Sequence, residues 1–179
     1  MDVKVYDNVI DQNTLRTITQ YLSSAFYSLT DGVDTTFDNV NPMASDGKFW
    51  RRIHKGDSLC DSNDEQLSTV LYEALSKVCK VPSYDTVRRV YTDLIRFGDR
   101  PRSRVEDVGS NNRTIIFYTN DQWHRDWGGE TVFYEGDEIF KSVLPKPGRI
   151  VSFDGRLPHS GRPPVTPAHR PRYITVMKF

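Results

Sequence analysis

Residues 149–179, RIVSFDGRLPHSGRPPVTPAHRPRYITVMKF, constrain this chain more than any other stretch. Ile150, Val151 and Phe153 read as a buried strand, and Asp154 with Gly155 as the turn that closes it. His159 then stands alone before a proline-rich loop, and Arg172 opens a final strand over 173–179. A chain built this way delivers one imidazole and one guanidinium from neighbouring strand ends. An imidazole suits a metal ion, and a planar fork of N–H donors suits a carboxylate.

Upstream, the pattern stays rich in short strands. Residues 113–119 form the clearest one, with Thr114, Ile116 and Tyr118 on one face and Ile115 and Phe117 on the other. Residues 131–134, 139–143 and 149–153 follow at close spacing with Gly or Pro between them, and a β-rich run over 86–97 closes at Gly98. The N-terminal part is different. A weak alternation over 3–10 predicts an edge strand, and Asp11 or Asn13 caps a helix over 14–26 with Leu15, Ile18, Leu22 and Phe26 on one face. Ser62 or Asn63 caps a second helix over 64–78, with Leu67, Val70, Leu71, Ala74, Leu75 and Val78 on its buried side and Pro82 beyond its end. Between the helices, 28–46 reads as a polar loop or hairpin. Phe49 and Trp50 then begin a short apolar stretch ending near His54, whose neighbours Arg51, Arg52 and Lys55 disfavour a bound cation. Two helices followed by a run of short strands predict helices packed on a sandwich or jelly roll.

Composition narrows the function classes. Lys plus Arg and Asp plus Glu both number 24, so no charge surplus points to nucleic acid or to an anionic membrane. No apolar run approaches the roughly 20 residues of a membrane span. The start, MDVKVYDNVID, lacks the basic and apolar segments of a signal peptide. Cys60 and Cys79 lack metal-site spacing and read as reduced thiols, which leads to the expectation of a cytoplasmic protein.

Several motifs agree in order: Tyr118-Thr119-Asn120 ending a strand, WGGETVFY over 127–134, PKPGR over 145–149, His159, and Arg172 in RYITV. Together they resemble the iron(II)/2-oxoglutarate oxygenases, in particular the prolyl 4-hydroxylase-like branch, closely over 87–179 and loosely over 5–78. The resemblance implies a mainly β fold with N-terminal helices. It would be a double-stranded β-helix (jelly roll, cupin-like) forming one domain over 1–179, with 1–85 as helical support and 86–179 as the jelly-roll core. It also implies an Fe(II) and 2-oxoglutarate-dependent hydroxylase acting on a prolyl or related amino-acid side chain. The partners would be a small-molecule co-substrate and a peptide or amino-acid substrate. His159 matches the second iron-binding histidine, Arg172 the residue that pairs with the distal carboxylate of 2-oxoglutarate, and Tyr118 the second contact to that carboxylate.

One part departs from the family. The four histidines are His54, His124, His159 and His169, and none lies between 55 and 123, where a His-x-Asp pair is expected. That position falls on Arg104-Val105-Glu106-Asp107. Three arrangements stay open. His124 and Asp126, in DQWHRDWGGET, carry the letters of the missing pair but lie after Tyr118 rather than in the strand before it. Glu106 or Asp107 with His159 could hold the metal, completed by water or substrate. Alternatively the Arg104 guanidinium replaces the cation and pairs with Glu106 or Asp107, which would make the chain a metal-free derivative serving binding, assembly or reassigned chemistry. Gly128 and Gly129 read as a close backbone approach or a bulge, and Glu130 and His169 as exposed groups.

Overall fold

The computed structural model describes residues 2–30, 49–56, 61–99, 101, 103, 105, 113–165 and 170–179. Strands β1 (Lys4–Tyr6), β2 (Ser28–Thr30), β3 (Phe49–Lys55), β4 (Arg89–Ile95), β5 (Arg113–Tyr118), β8 (Ile150–Asp154) and β10 (Arg172–Lys178) form a large sheet in the order β1-β8-β5-β10-β4-β3-β2. A small sheet of β6 (Thr131–Glu135), β7 (Glu138–Val143) and β9 (His159–Gly161) runs in the order β7-β6-β9. The pairings are antiparallel throughout. Two facing antiparallel sheets with helices outside make the expected jelly roll.

Period-two alternation decides what each strand gives to each layer. On β5, Ile116 and Tyr118 face the small sheet while Ile115 and Phe117 face outward; on β10, Ile174 and Val176 face inward while Tyr173 and Met177 face outward. The inner layer is completed by Tyr91, Ile95, Phe133, Val143, Val151, Phe153 and Leu157. The outer face is covered by helix α1 (Gln12–Ser24) through Leu15, Ile18 and Leu22, and by α2 (Ser62–Ser76) through Leu67, Leu71, Ala74 and Leu75. Each such fully buried leucine contributes about 2 kcal/mol.

The helix boundaries differ from the sequence expectation. Helix α1 begins behind Asp11, whose carboxylate accepts from the Asn13 and Thr14 amides at 3.0 Å, and it stops at Ser24, leaving Phe26 89% exposed. The cap of α2 is Asp61, in a reciprocal capping box with Asp64, rather than Ser62 or Asn63. This helix ends at Ser76, so Val78 lies beyond it at the surface. Helical spacing continued through both residues, but the chain leaves the sheet before reaching them. His159 does not stand alone; it opens β9. The part of the 28–46 loop beyond Thr30, together with Cys60 and His169, lies outside the described residues. Among the described residues, no helix is long and apolar enough to cross a membrane.

A buried polar network joins α2 to the large sheet. His54, in β3, meets Asp64 Oδ1 through Nδ1 at 2.5 Å and Thr92 Oγ1 through Nε2 at 2.7 Å, and Thr92 meets Thr175 at 2.7 Å. Asp64 also accepts from Tyr21 at 2.6 Å and from two nitrogens of Arg52, each at 2.8 Å. Burial is the strongest single influence on Asp64 and raises its pKa. The hydrogen bonds from Arg52, Tyr21, His54 and the Asp61 backbone outweigh it and hold the carboxyl at about 2. Burial also pushes His54 below the ordinary histidine range, against the pull of Asp64.

Both folded-state values are depressed, so on acidification the unfolded chain takes up protons first. Stability from this network is complete above the ordinary values. It declines below 6.5 through His54 and then between 3.8 and about 2 through Asp64. Asp64→Asn breaks a buried ion pair from one side, an expected loss of about 3 kcal/mol. Urea unfolding at pH 7 measures that loss, and the same titration at pH 3–5 is expected to show a weaker acid dependence than in the unmodified chain.

Candidate functional site

Arg172 is the first residue of β10 and shares the inward parity of Ile174 and Val176. Its side chain has no solvent exposure, which is unusual for arginine. Asn120 secures this start of the strand. Its Oδ1 accepts from the Tyr173 amide at 2.8 Å and its Nδ2 donates to the Pro171 carbonyl at 3.0 Å, so one side chain grips the backbone on both sides of Arg172.

The guanidinium is held at one corner only. Its Nη2 donates to Thr131 Oγ1 at 2.8 Å, and its carbon lies 5.6 Å from the Tyr118 ring centre. Nε and Nη1 are buried without an acceptor. Burial, the largest influence, pushes the group below the ordinary arginine range, with Tyr118, Asp93 and Glu130 opposing that shift. Asp93 is itself engaged by Arg51 at 2.7 Å. An unmet buried donor costs roughly 1–3 kcal/mol. A buried cation with two such nitrogens retains donors that an anion could accept from.

Tyr118 and Thr131 set the angle of that guanidinium. Thr131 Oγ1 accepts from Tyr118 at 2.7 Å as well as from Arg172, and the Tyr118 hydroxyl also reaches the Val143 carbonyl at 3.0 Å. Burial raises the Tyr118 pKa, so the phenol stays neutral. Its single proton is taken by these two acceptors, and a direct contact from Tyr118 to a ligand carboxylate requires its release from them.

His159 lies on the same side of the small sheet as this guanidinium. The register pairs Thr131 with Gly161, Val132 with Ser160 and Phe133 with His159, so the imidazole sits two pairs further along on the same face, roughly 7 Å in strand distance. It is 3% exposed and packs edge-on against Phe153 with ring centres 4.8 Å apart. Its Nδ1 donates to the Leu157 carbonyl at 2.8 Å, which fixes the orientation of the ring. Ser160, facing the other way, donates to the Pro101 carbonyl at 3.1 Å and ties the segment after β4 to the edge of β9.

The other candidate ligands fall elsewhere. Glu106, Asp107 and Arg104 lie outside the described residues. His124 caps, and Asp126 lies within, a single-turn helix at 125–127. Their side chains are 59% and 73% exposed and 3.5 Å apart, and His124 Nδ1 accepts from the Asp126 amide. Among the described residues, no three His, Cys, Asp or Glu side chains gather as a metal-binding group. Arg172 therefore fits the carboxylate of 2-oxoglutarate, whereas His159 fits one position of an iron shell whose remaining donors the described residues do not supply.

Sequence reading gave no role to Thr131, Asn120 or Gly161. Thr131 and Asn120 stand inside motifs already noted, WGGET and Tyr-x-Asn, and Gly161 comes two residues after His159. The close approach anticipated at Gly128 and Gly129 is present: a Cβ on Gly129 would lie 2.9 Å from the Trp123 ring and 3.0 Å from Arg172 Cδ.

Comparison with known proteins agrees with this geometry. The sequence model of the 2OG-Fe(II) oxygenase superfamily matches residues 91–177. No curated protein matches in sequence. A prolyl-4-hydroxylase from Pseudomonas putida superposes with a TM-score of 0.64 at 15% identity, covering 99% of this chain and 91% of that one. A prolyl hydroxylase from Trichoplax adhaerens, solved with a hypoxia inducible factor peptide fragment, gives 0.65 at 16% identity over 99% and 83%. The viral collagen prolyl hydroxylase of Paramecium Bursaria Chlorella virus-1, solved as a 2OG complex, gives 0.58 at 13% over 98% and 94%. At such identities the likeness is one of fold.

Replacing the under-satisfied cation with an apolar side chain of similar length separates stability from binding. Arg172→Met is expected to leave thermal stability unchanged or to raise it by about 2 kcal/mol. The same variant is expected to lose any rise in melting temperature that millimolar 2-oxoglutarate gives the unmodified chain.

Proposed function

We propose that this chain, whose residues 91–177 match the sequence model of the 2OG-Fe(II) oxygenase superfamily, is a 2-oxoglutarate-dependent hydroxylase acting on a prolyl or related amino-acid side chain of a peptide. The observation that carries this reading is the Arg172 guanidinium, wholly buried and with Nε and Nη1 awaiting an acceptor. In this reading Arg172 binds the distal carboxylate of the co-substrate, Thr131 and Tyr118 orient the guanidinium, and the apolar wall of Phe133 and Phe153 keeps water from the inner layer. His159 offers Nε2 to the metal while Leu157 holds the ring in place, and Glu106 or Asp107 supplies the carboxylate ligand. With metal and co-substrate bound, the pair supplies the oxidising equivalents for hydroxylation as 2-oxoglutarate is converted to succinate and carbon dioxide. The free, half-buried thiol of Cys79 accords with a reducing, cytoplasmic setting.

A specific observation supports a second reading. No histidine lies between 55 and 123, and Arg104 stands where the first ligand is expected. In that reading the same cavity binds 2-oxoglutarate without metal and serves a non-oxidative role.

Anaerobic titration of Fe(II) in the presence of 2-oxoglutarate separates the two. The hydroxylase reading expects a visible charge-transfer band that disappears in His159→Ala and persists in His124→Ala. Stabilisation by 2-oxoglutarate alone, with no band at millimolar iron, selects the metal-free reading. Absence of both responses rejects the co-substrate site itself.

A further inference from the structure

We propose that Gly161 is a positioning residue for the carboxylate clamp: the missing side chain at this one position is what lets the Arg172 guanidinium lie with its donors turned toward a ligand. The inference rests on reading Arg172 as the co-substrate anchor, and it concerns a residue two positions beyond His159 on β9.

A Cβ built on Gly161 would come 2.8 Å from Arg172 Nη1 and 3.4 Å from Ile95 Cδ1. Real Cβ atoms do not tolerate the first distance, so either the guanidinium or β9 must move. The strand is held by its pairing with β6 and by one side-chain bond. Gly161 pairs with Thr131 across β6, and Ser160 is bonded to the Pro101 carbonyl. The guanidinium is the softer partner, because Nη1 is the far end of a long side chain held only through Nη2. A methyl group here therefore turns the clamp and leaves the fold in place.

Backbone conformation gives no competing reason for the glycine. Gly161 is not among the glycines of positive φ, whereas Gly129, which also touches Arg172, has φ +81°. Alanine at 129 would be strained whatever it touched; the nearest atoms that alanine at 161 meets belong to the guanidinium and Ile95. The register adds a consequence. The Thr131–Gly161 pair supports the guanidinium through an acceptor on one strand and an open space on the other, while the next pair on the same face, two residues along, carries His159. One short strand thus sets both the imidazole and the clearance of the anion clamp.

The test compares the full chain with Gly161→Ala. In a ¹H–¹⁵N spectrum, the Arg172 Nε–H resonance is assigned as the one missing from Arg172→Lys, and 2-oxoglutarate is titrated while thermal unfolding is followed separately. The expected result is an unchanged melting temperature for ligand-free Gly161→Ala, a displaced Nε–H resonance, and affinity for 2-oxoglutarate weaker by roughly ten- to hundredfold, the loss of one charge-assisted hydrogen bond. Unchanged resonance and affinity overturn the proposal, and so does failure of the variant to fold, since the methyl would then be moving the strand. If the unmodified chain does not respond to 2-oxoglutarate at all, the anchor reading fails and this one with it. A responsive parent chain with an equally responsive variant removes the role of Gly161 alone.

Discussion

A positive charge sealed between two sheets, with part of its hydrogen-bonding capacity unmet, is the constraint around which the rest of this structure is arranged. Isolating a cation from water costs several kcal/mol even after relaxation. The chain sustains it by fixing the backbone on either side of Arg172 through Asn120 and by giving the head group one firm acceptor, Thr131, which Tyr118 also contacts. Strand β10 lies between β4 and β5 in the large sheet, so the charge stands on one of the best-paired strands of the fold. A surface loop could not hold an under-satisfied guanidinium in a fixed direction, because it would turn to solvent.

The two faces of the large sheet have different duties. Its outer face is closed by α1 and α2 through aliphatic packing, and the His54–Asp64–Arg52 network pins α2 to β3 and β4. That network is fully partnered, with every strong charge matched. The inner face is largely apolar, with Arg172, His159, Asp93, Thr114 and Thr131 entering it, and the matching is incomplete at Arg172. The fully partnered polar network lies on the outer side of the large sheet, and the unmet donors of Arg172 lie on its inner side.

Much of this was legible in the sequence because strands advertise themselves by alternation. The inward parity of Tyr118 and the position of Arg172 at the head of the last strand follow from a period of two, and the order of short strands after two helices led to the jelly roll. Helix ends were less legible. Phe26 and Val78 continue the helical spacing, yet α1 and α2 stop short of them, because local pattern does not record where a helix runs out of sheet to cover. The partners of His54 were not legible either. Its sequence neighbours are cationic, but strand alternation turns it toward Asp64, ten positions away, and buries both.

The sequence by itself determined the class of fold, the guanidinium at the head of the last strand with an imidazole shortly before it, and the lack of any histidine between 55 and 123. These depend on residue identity and short-range spacing, which the chain carries in plain order. Only the tertiary structure decided that Arg172 is buried with two nitrogens unmet, that Thr131 rather than a charged group holds it, and that Gly161 clears its path. Those facts arise from pairing β9 with β6 and facing both with β10, contacts between residues dozens of positions apart. Desolvation and clearance belong to such meetings of distant segments, and no local pattern encodes them.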